Sequence, residues 1–299
     1  MRKVFSALIL LLLFSLSLFA MDFTKIDETY DKDIGDKQVY EELKNMLPQA
    51  QTAQEKAEVL WRLSRVCVDI GDDMDKNDKT SRFSIYEEGE NYAIQSINLY
   101  PNAMAYLWKC CNVGRWGQTK GVLNSLAKAK PMMADLKVVT DNFNCVDSSE
   151  VWYTLGVLYN SLPGVFGGDS NAAISYGRIA CDTIPKKFIY GGTYEYLAQM
   201  LYDRNWTAKK RASEIAKMQK NWNRESNSNY EKYGYYEGAN GPDATPIWTP
   251  AKLSAMSDRQ EALVILKYAQ AVYRARSFHT SGDDENYAEI QGLIDQWSK

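Results

Sequence analysis

Trp152-Tyr153-Thr154-Leu155-Gly156-Val157-Leu158-Tyr159, followed across a glycine-rich turn by Ala173, Ala180 and Pro185, is the stretch on which the fold turns. Trp152, Leu155, Gly156 and Tyr159 recur at intervals of three and four, the spacing of one helix face. Ala173 and Ala180 place small residues on one side of a second helix, and Pro185 ends it. Two antiparallel helices approach closely only where small residues meet. Large residues at flanking positions then fill the gaps. The stretch therefore reads as one helix hairpin of a repeating array.

The spacing is that of a tetratricopeptide unit, with about five extra residues in the turn between its helices. An earlier unit reads Leu60, Leu63, Ser64 and Cys67, then Gly89, Ala93, Ser96 and Pro101 after a longer insertion. A third pair falls around Tyr194 to Lys217 and a fourth at Ala105 to Ala129, both further from the pattern. Between and beyond them, helical periodicity covers Val39–Met46, Ala53–Ile70, Ile85–Leu99, Ala103–Val113, Thr119–Ala129, Pro131–Asn142 and Ser149–Asn160. It continues over Asn171–Thr183, Thr193–Asp203, Ala208–Glu225, Met256–Ser277 and Asp284–Gln296. A loop rich in Gly, Asn, Tyr and Pro, Ser226–Pro250, precedes the last two of these helices. No run of alternating residues is long enough to build a sheet. The expectation is an all-α chain of tetratricopeptide-like repeats, forming one compact solenoid or bundle over residues 21–299.

At the amino terminus, Arg2 and Lys3 precede an uncharged apolar run from Val4 to Ala20, and Met21-Asp22 opens a polar stretch. A positive start, a short apolar core and a terminal small residue describe a signal peptide over residues 1–20. A membrane anchor is the competing reading, since about 20 apolar residues span a bilayer. Without Arg2 and Lys3, 33 basic side chains face 38 acidic ones, a net charge of −5. Nucleic acid wants a basic stripe that this chain lacks. The five cysteines, Cys67, Cys110, Cys111, Cys145 and Cys181, form no CxxC pair, and His279 is the single histidine. A zinc site is not expected, nor any other metal or cofactor. The cysteines read mainly as buried free thiols, with one disulfide as the alternative. The acidic run Asp72, Asp73, Asp75 and Asp78 lacks the Gly and Glu of a calcium loop and reads as a solvated insertion, Gly71–Ser81.

The middle of the chain resembles a known family. Tyr106-Leu107-Trp108-Lys109-Cys110-Cys111, Gly114-Arg115-Trp116-Gly117 and Lys120-Gly121 resemble a stretch of the T-component of tripartite ATP-independent periplasmic (TRAP) transporters. Leu162-Pro163-Gly164-Val165-Phe166-Gly167-Gly168-Asp169, then Ala172, Ala173 and Ile174, resembles the family's turn between paired helices. The resemblance runs from about Tyr86 to Asn205. A similar Trp…Gly…Gly pattern also looks like the eukaryotic regulators of microtubule dynamics. The transporter resemblance implies a periplasmic accessory protein that partners a solute-binding subunit and offers an apolar channel or pocket to a small ligand. It also implies trimers and, in many members, a lipid anchor. No cysteine follows the apolar run here, so the anchor lacks its acceptor residue.

Two sets of candidate site residues follow. Trp108, Trp116 and Tyr159, with Val165 and Phe166 leaning from the turn, would line a pocket for an apolar or amphipathic ligand; the alternatives are core filling and, for Gly167 to Asp169, a turn that caps the next helix. Tyr230, Tyr233, Tyr235, Tyr236 and Trp248 crowd the loop and would face a partner or cover an opening. Catalysis is not expected: a Ser/His/Asp or Cys/His arrangement would have to use His279, read as exposed near a helix end, and no phosphate loop is present. A carboxylate pair brought together by folding is the remaining enzymatic route. A ligand-free cell-envelope scaffold is the alternative function.

Overall fold

Polar side chains fix where the helices start. Thr52 and Glu55 close a capping box, each satisfying a backbone N–H of the other at the head of the first long helix. Asp78, Asn102, Ser148, Asp169 and Thr207 cap later helices in the same manner, each side chain accepting from an N–H of the first turn. The computed structural model describes residues 21–33, 35–224 and 226–299. The expected signal peptide, residues 1–20, lies outside them. Among the described residues there are thirteen helices and no strand. In chain order they are α1 Thr24–Asp31, α2 Asp36–Met46, α3 Ala53–Asp73, α4 Lys79–Leu99, α5 Ala103–Lys120, α6 Ala129–Lys137 and α7 Ser149–Ser161. There follow α8 Ser170–Asp182, α9 Gly191–Arg204, α10 Ala208–Trp222, α11 Asn229–Tyr233, α12 Asp258–Arg274 and α13 Ser281–Trp297.

The two clear repeat units are α3 with α4 and α7 with α8, each packed along its length. In the second, a Cβ on Gly156 would stand 3.3 Å from the Ala173 carbonyl oxygen, so the small residue sits where the backbones touch. In the first, Ser96 Oγ donates to the Ala57 carbonyl oxygen at 2.8 Å, and Asn112 Nδ2 from α5 donates to the Ser64 carbonyl oxygen at 2.8 Å. The third expected pair is different. Helix α9 packs on α12, and α10 instead meets the turns at Tyr236–Gly238 and Leu253–Ala255. The fourth is not a pair. Helix α5 runs on to Lys120, Gly121 ends it at φ +95°, and two short turns lead to α6. The acidic insertion is short, because α3 continues to Asp73 and Asp78 already caps α4.

Three apolar clusters run along the chain, centred on α3, on α5–α8 and on α9 with α12 and α13. The array curls until its ends meet. Lys187 Nζ, before α9, donates to Asp31 Oδ2 of α1 at 2.5 Å, and Ser281 Oγ of α13 donates to Asp33 Oδ2 at 2.7 Å. No cysteine is paired: Cys67, Cys110 and Cys181 are buried, Cys111 and Cys145 half-buried.

Candidate ligand cleft

A cleft of about 610 Å³ opens between α3, α5, α6, α7 and the start of α9. Helix α7 explains how it forms. One stripe of α7 (Trp152, Leu155, Gly156) is buried in the hairpin with α8. A second stripe, Glu150, Tyr153, Thr154, Val157 and Ser161, repeats at three and four residues and lines the cleft. From Glu150 to Leu158 the lining changes from charged and polar to apolar, over about 12 Å of helix, with Ser161 and Leu162 at its far end. Facing it, α5 contributes Trp108, Cys111 and Arg115, α6 contributes Met132, and the last turns of α3 contribute Val68, Asp69 and Asp72.

The polar part is held in place by its own contacts. Arg115 Nη2 pairs with Asp72 Oδ2 at 2.7 Å, and the Tyr86 hydroxyl donates to the other oxygen of Asp72 at 2.7 Å. The Tyr190 hydroxyl donates to Glu150 Oε1 at 2.8 Å, and Ser148 Oγ to Glu150 Oε2 at 2.7 Å. Asp69 has no salt bridge, and its Oδ2 is buried without a hydrogen-bond donor among the described residues. Burial pushes its pKa up to about 7; the Tyr30 hydroxyl and Arg65 oppose the shift, and Asp36 and Asp72 add to it. The Trp108 indole N–H is likewise buried and unpartnered. Burial also pushes the Cys111 thiol up to about 11, which leaves it protonated and unreactive at neutral pH.

Of the five expected pocket residues, the cleft takes one, Trp108. Trp116 points elsewhere: it packs on Phe83 at 5.5 Å and donates to Glu87 at 3.0 Å, with Lys120 and Lys128 over its ring. Tyr159 belongs to a half-buried tyrosine group, its hydroxyl 2.8 Å from that of Tyr230 and its ring against the buried Tyr176. Val165 and Phe166 stand out from the turn at 88% and 45% exposure, turned away by the tight Pro163–Gly168 geometry. Asp169 caps α8, so the turn does the structural job the sequence allowed for it.

The aromatic loop is pinned down over most of its length. Tyr230, Tyr233 and Tyr236 pack on the α5–α8 cluster, Tyr233 stacking on Trp152 at 4.6 Å. Trp248 is buried and donates to Glu261 Oε1 at 3.0 Å, which corrects its assignment to a partner-facing surface. Tyr235 alone of the five is exposed. The pin is a buried charge network that the sequence did not suggest. Arg178 of α8, Arg204 of α9 and Arg211 of α10 surround Glu237 of the loop and Asp258 and Glu261 of α12. Arginine charges hold Glu237 well below the usual carboxylate range and lower Glu261 as well, despite burial. His279, expected to be exposed, is half-buried and stacks on Tyr273 at 3.8 Å, with its Nε2 against the Tyr273 carbonyl oxygen.

No cluster of three or more metal-ligating side chains occurs among the described residues, and none of their helices is long and apolar enough to cross a membrane. Fold and cleft together define a helical-repeat protein with an internal groove. Residues 22–137 match the family model of regulator of microtubule dynamics protein 1-3. The match spans α1 to α6, under half of the chain, and so includes the α3, α5 and α6 walls of the cleft but not α7 or α9. Of the two families resembled by the sequence, this is the one the family comparison supports. No curated protein and no solved structure matches the chain significantly.

Proposed function

We propose that this chain is a binding protein, not an enzyme, and that its cleft takes a small amphipathic molecule. The carrying observation is the change of lining along α7, from Glu150, Tyr153 and Thr154 to Val157 and Leu158, with Ser161 and the C-cap Leu162 at the far end, inside about 610 Å³. Ligand sites of some 300–1,000 Å³ with apolar walls and a few fixed polar groups are the usual form of a small-molecule pocket. The setting proposed with it is export through residues 1–20, and an accessory role beside a periplasmic solute-binding protein of a TRAP-type transporter, as a monomer or trimer. That setting rests on the Tyr106–Gly121 and Leu162–Asp169 resemblance. The alternative is a ligand-free envelope scaffold, favoured by the exposed Val165 and Phe166, which a partner protein would bury.

Native mass spectrometry of the mature protein, purified gently from its own host, separates the two. A defined added mass that Val157→Trp removes is the expected result, since the larger ring would fill the apolar part of the cleft. A clean unliganded mass, with a co-purifying protein that Phe166→Ser releases, would favour the scaffold instead.

A further inference from the structure

The charges around the cleft say which amphipathic molecule fits. Three carboxylates, Asp69, Asp72 and Glu150, line it, with two cations, Arg115 and Lys128. Arg115 is already matched to Asp72. Arg65, the other guanidinium felt by Asp69, pairs through Nη2 with Asp27 at 2.7 Å and makes no salt bridge to Asp69. Lys128, which also lines the cleft, is paired with Glu90 at 3.3 Å. Among the described residues, neither Asp69 nor Glu150 makes an ion pair, and one oxygen of Asp69 has no donor. Cys111, Arg115, Asp69 and Glu150 all line the cleft, and the thiol of Cys111 is within electrostatic reach of the other three. Tyr153, Tyr190, Tyr196 and Trp108 line the same cleft.

From this we infer that the cleft selects a protonated amine carrying an apolar tail, with the ammonium between Asp69 and Glu150 and the tail along Val157, Leu158 and Met132. The inference rests on the binding function proposed above and names the ligand class for that site. The physical reason is balance. Two carboxylates in a partly desolvated cleft, unpaired, cost free energy that an incoming cation relieves. Tyrosine and tryptophan faces attract the same charge through their quadrupoles. An anionic head would meet two unmatched carboxylates and only cations already in use, Arg115 on Asp72 and Lys128 on Glu90. A neutral head would gain the apolar wall but leave Asp69 uncompensated. The upward pKa shift of Asp69 is the expected mark of a carboxylate lacking its cation.

Titration calorimetry of the mature chain at pH 8 with octylammonium, octanol and octanoate, each below its aggregation concentration, tests this. Octylammonium is expected to bind at least about tenfold more tightly than octanol, and octanoate more weakly than either. The double variant Asp69→Asn with Glu150→Gln should bring octylammonium to the level of octanol while octanol binding stays as it was, which also shows that the variant is folded. Val157→Trp should remove all three. Equal affinity for octanol and octylammonium, a preference for octanoate, or an ammonium preference that survives the double variant would overturn the inference while leaving a binding cleft in place. Absence of binding by all three, or binding that Val157→Trp does not touch, would overturn the binding function with it.

Discussion

Glu261 shows how much a single side chain carries here. It lies fully buried on α12 and accepts from Arg178 at 2.9 and 2.6 Å, from the Trp248 indole at 3.0 Å and from Arg211. Glu237 and Asp258 complete the charge balance with Arg204, through bonds of 2.6 to 2.9 Å. A complete network of this kind contributes little net stability, because desolvation offsets the attraction. Removing one member is different, since it strands its partners. Glu261→Gln keeps the size of the side chain and the acceptor for Trp248 but leaves three guanidiniums against two carboxylates. A loss of about 3–5 kcal/mol is expected in urea denaturation. A variant within about 1 kcal/mol of wild type would mean that the charges are solvated and that the loop is held by its aromatics alone.

At the scale of elements, the sequence reading succeeded where one helix face is written in small and large residues. Gly156 is the test of that reading. An added Cβ would meet the Ala173 carbonyl oxygen at 3.3 Å and the Gly177 backbone nitrogen at 3.5 Å, and backbone atoms cannot step aside as side chains do. Gly156→Ala is expected within about 1 kcal/mol of wild type, because the helix propensity gained offsets the squeeze. Gly156→Leu should cost about 2 kcal/mol or more in thermal denaturation, since a branched side chain must push α8 away from α7. A leucine variant as stable as wild type would show that the two helices are not in contact there. The cleft and the charge network were less legible, for physical reasons. The second stripe of α7, Glu150 to Ser161, is in the sequence at regular spacing, but it is overshadowed by the Trp152 stripe on the same helix. Likewise Asp258 and Glu261 continue the buried Ala262, Ile265, Leu266 and Ala269 face of α12, and acidic residues in line with apolar ones were the available signal. Their arginine partners lie as far as 83 positions away, which no local pattern reports. Trp116 and Phe166 misled because an aromatic residue says that area will be covered, not by what.

For the whole molecule, acid and base act on different sets of carboxylates. Burial raises Asp69 and Glu195 to about 7, and raises Asp36 to about 6, each with neighbouring carboxylates adding to the shift. In the unfolded chain these groups titrate near 4. Between about pH 4 and pH 7 the folded protein therefore binds more protons than the unfolded one, so stability rises as pH falls through this window. Glu237, Glu261 and Asp27 are held low by arginines, although burial opposes this in each. Their contribution is present above the unfolded pKa and lost as the pH falls through the folded one. The two opposed trends place the maximum near pH 5. Urea midpoints of the ligand-free protein should climb from pH 8 to pH 5 and drop again below about pH 4. Asp69→Asn combined with Glu195→Gln should flatten the upper limb and leave the acid limb unchanged, because the arginine-paired carboxylates are untouched. A wild-type midpoint that is flat or rises toward pH 8 would show that Asp69 and Glu195 are solvated in the folded protein. The cleft would then lack the uncompensated carboxylate on which its preference for a cation depends.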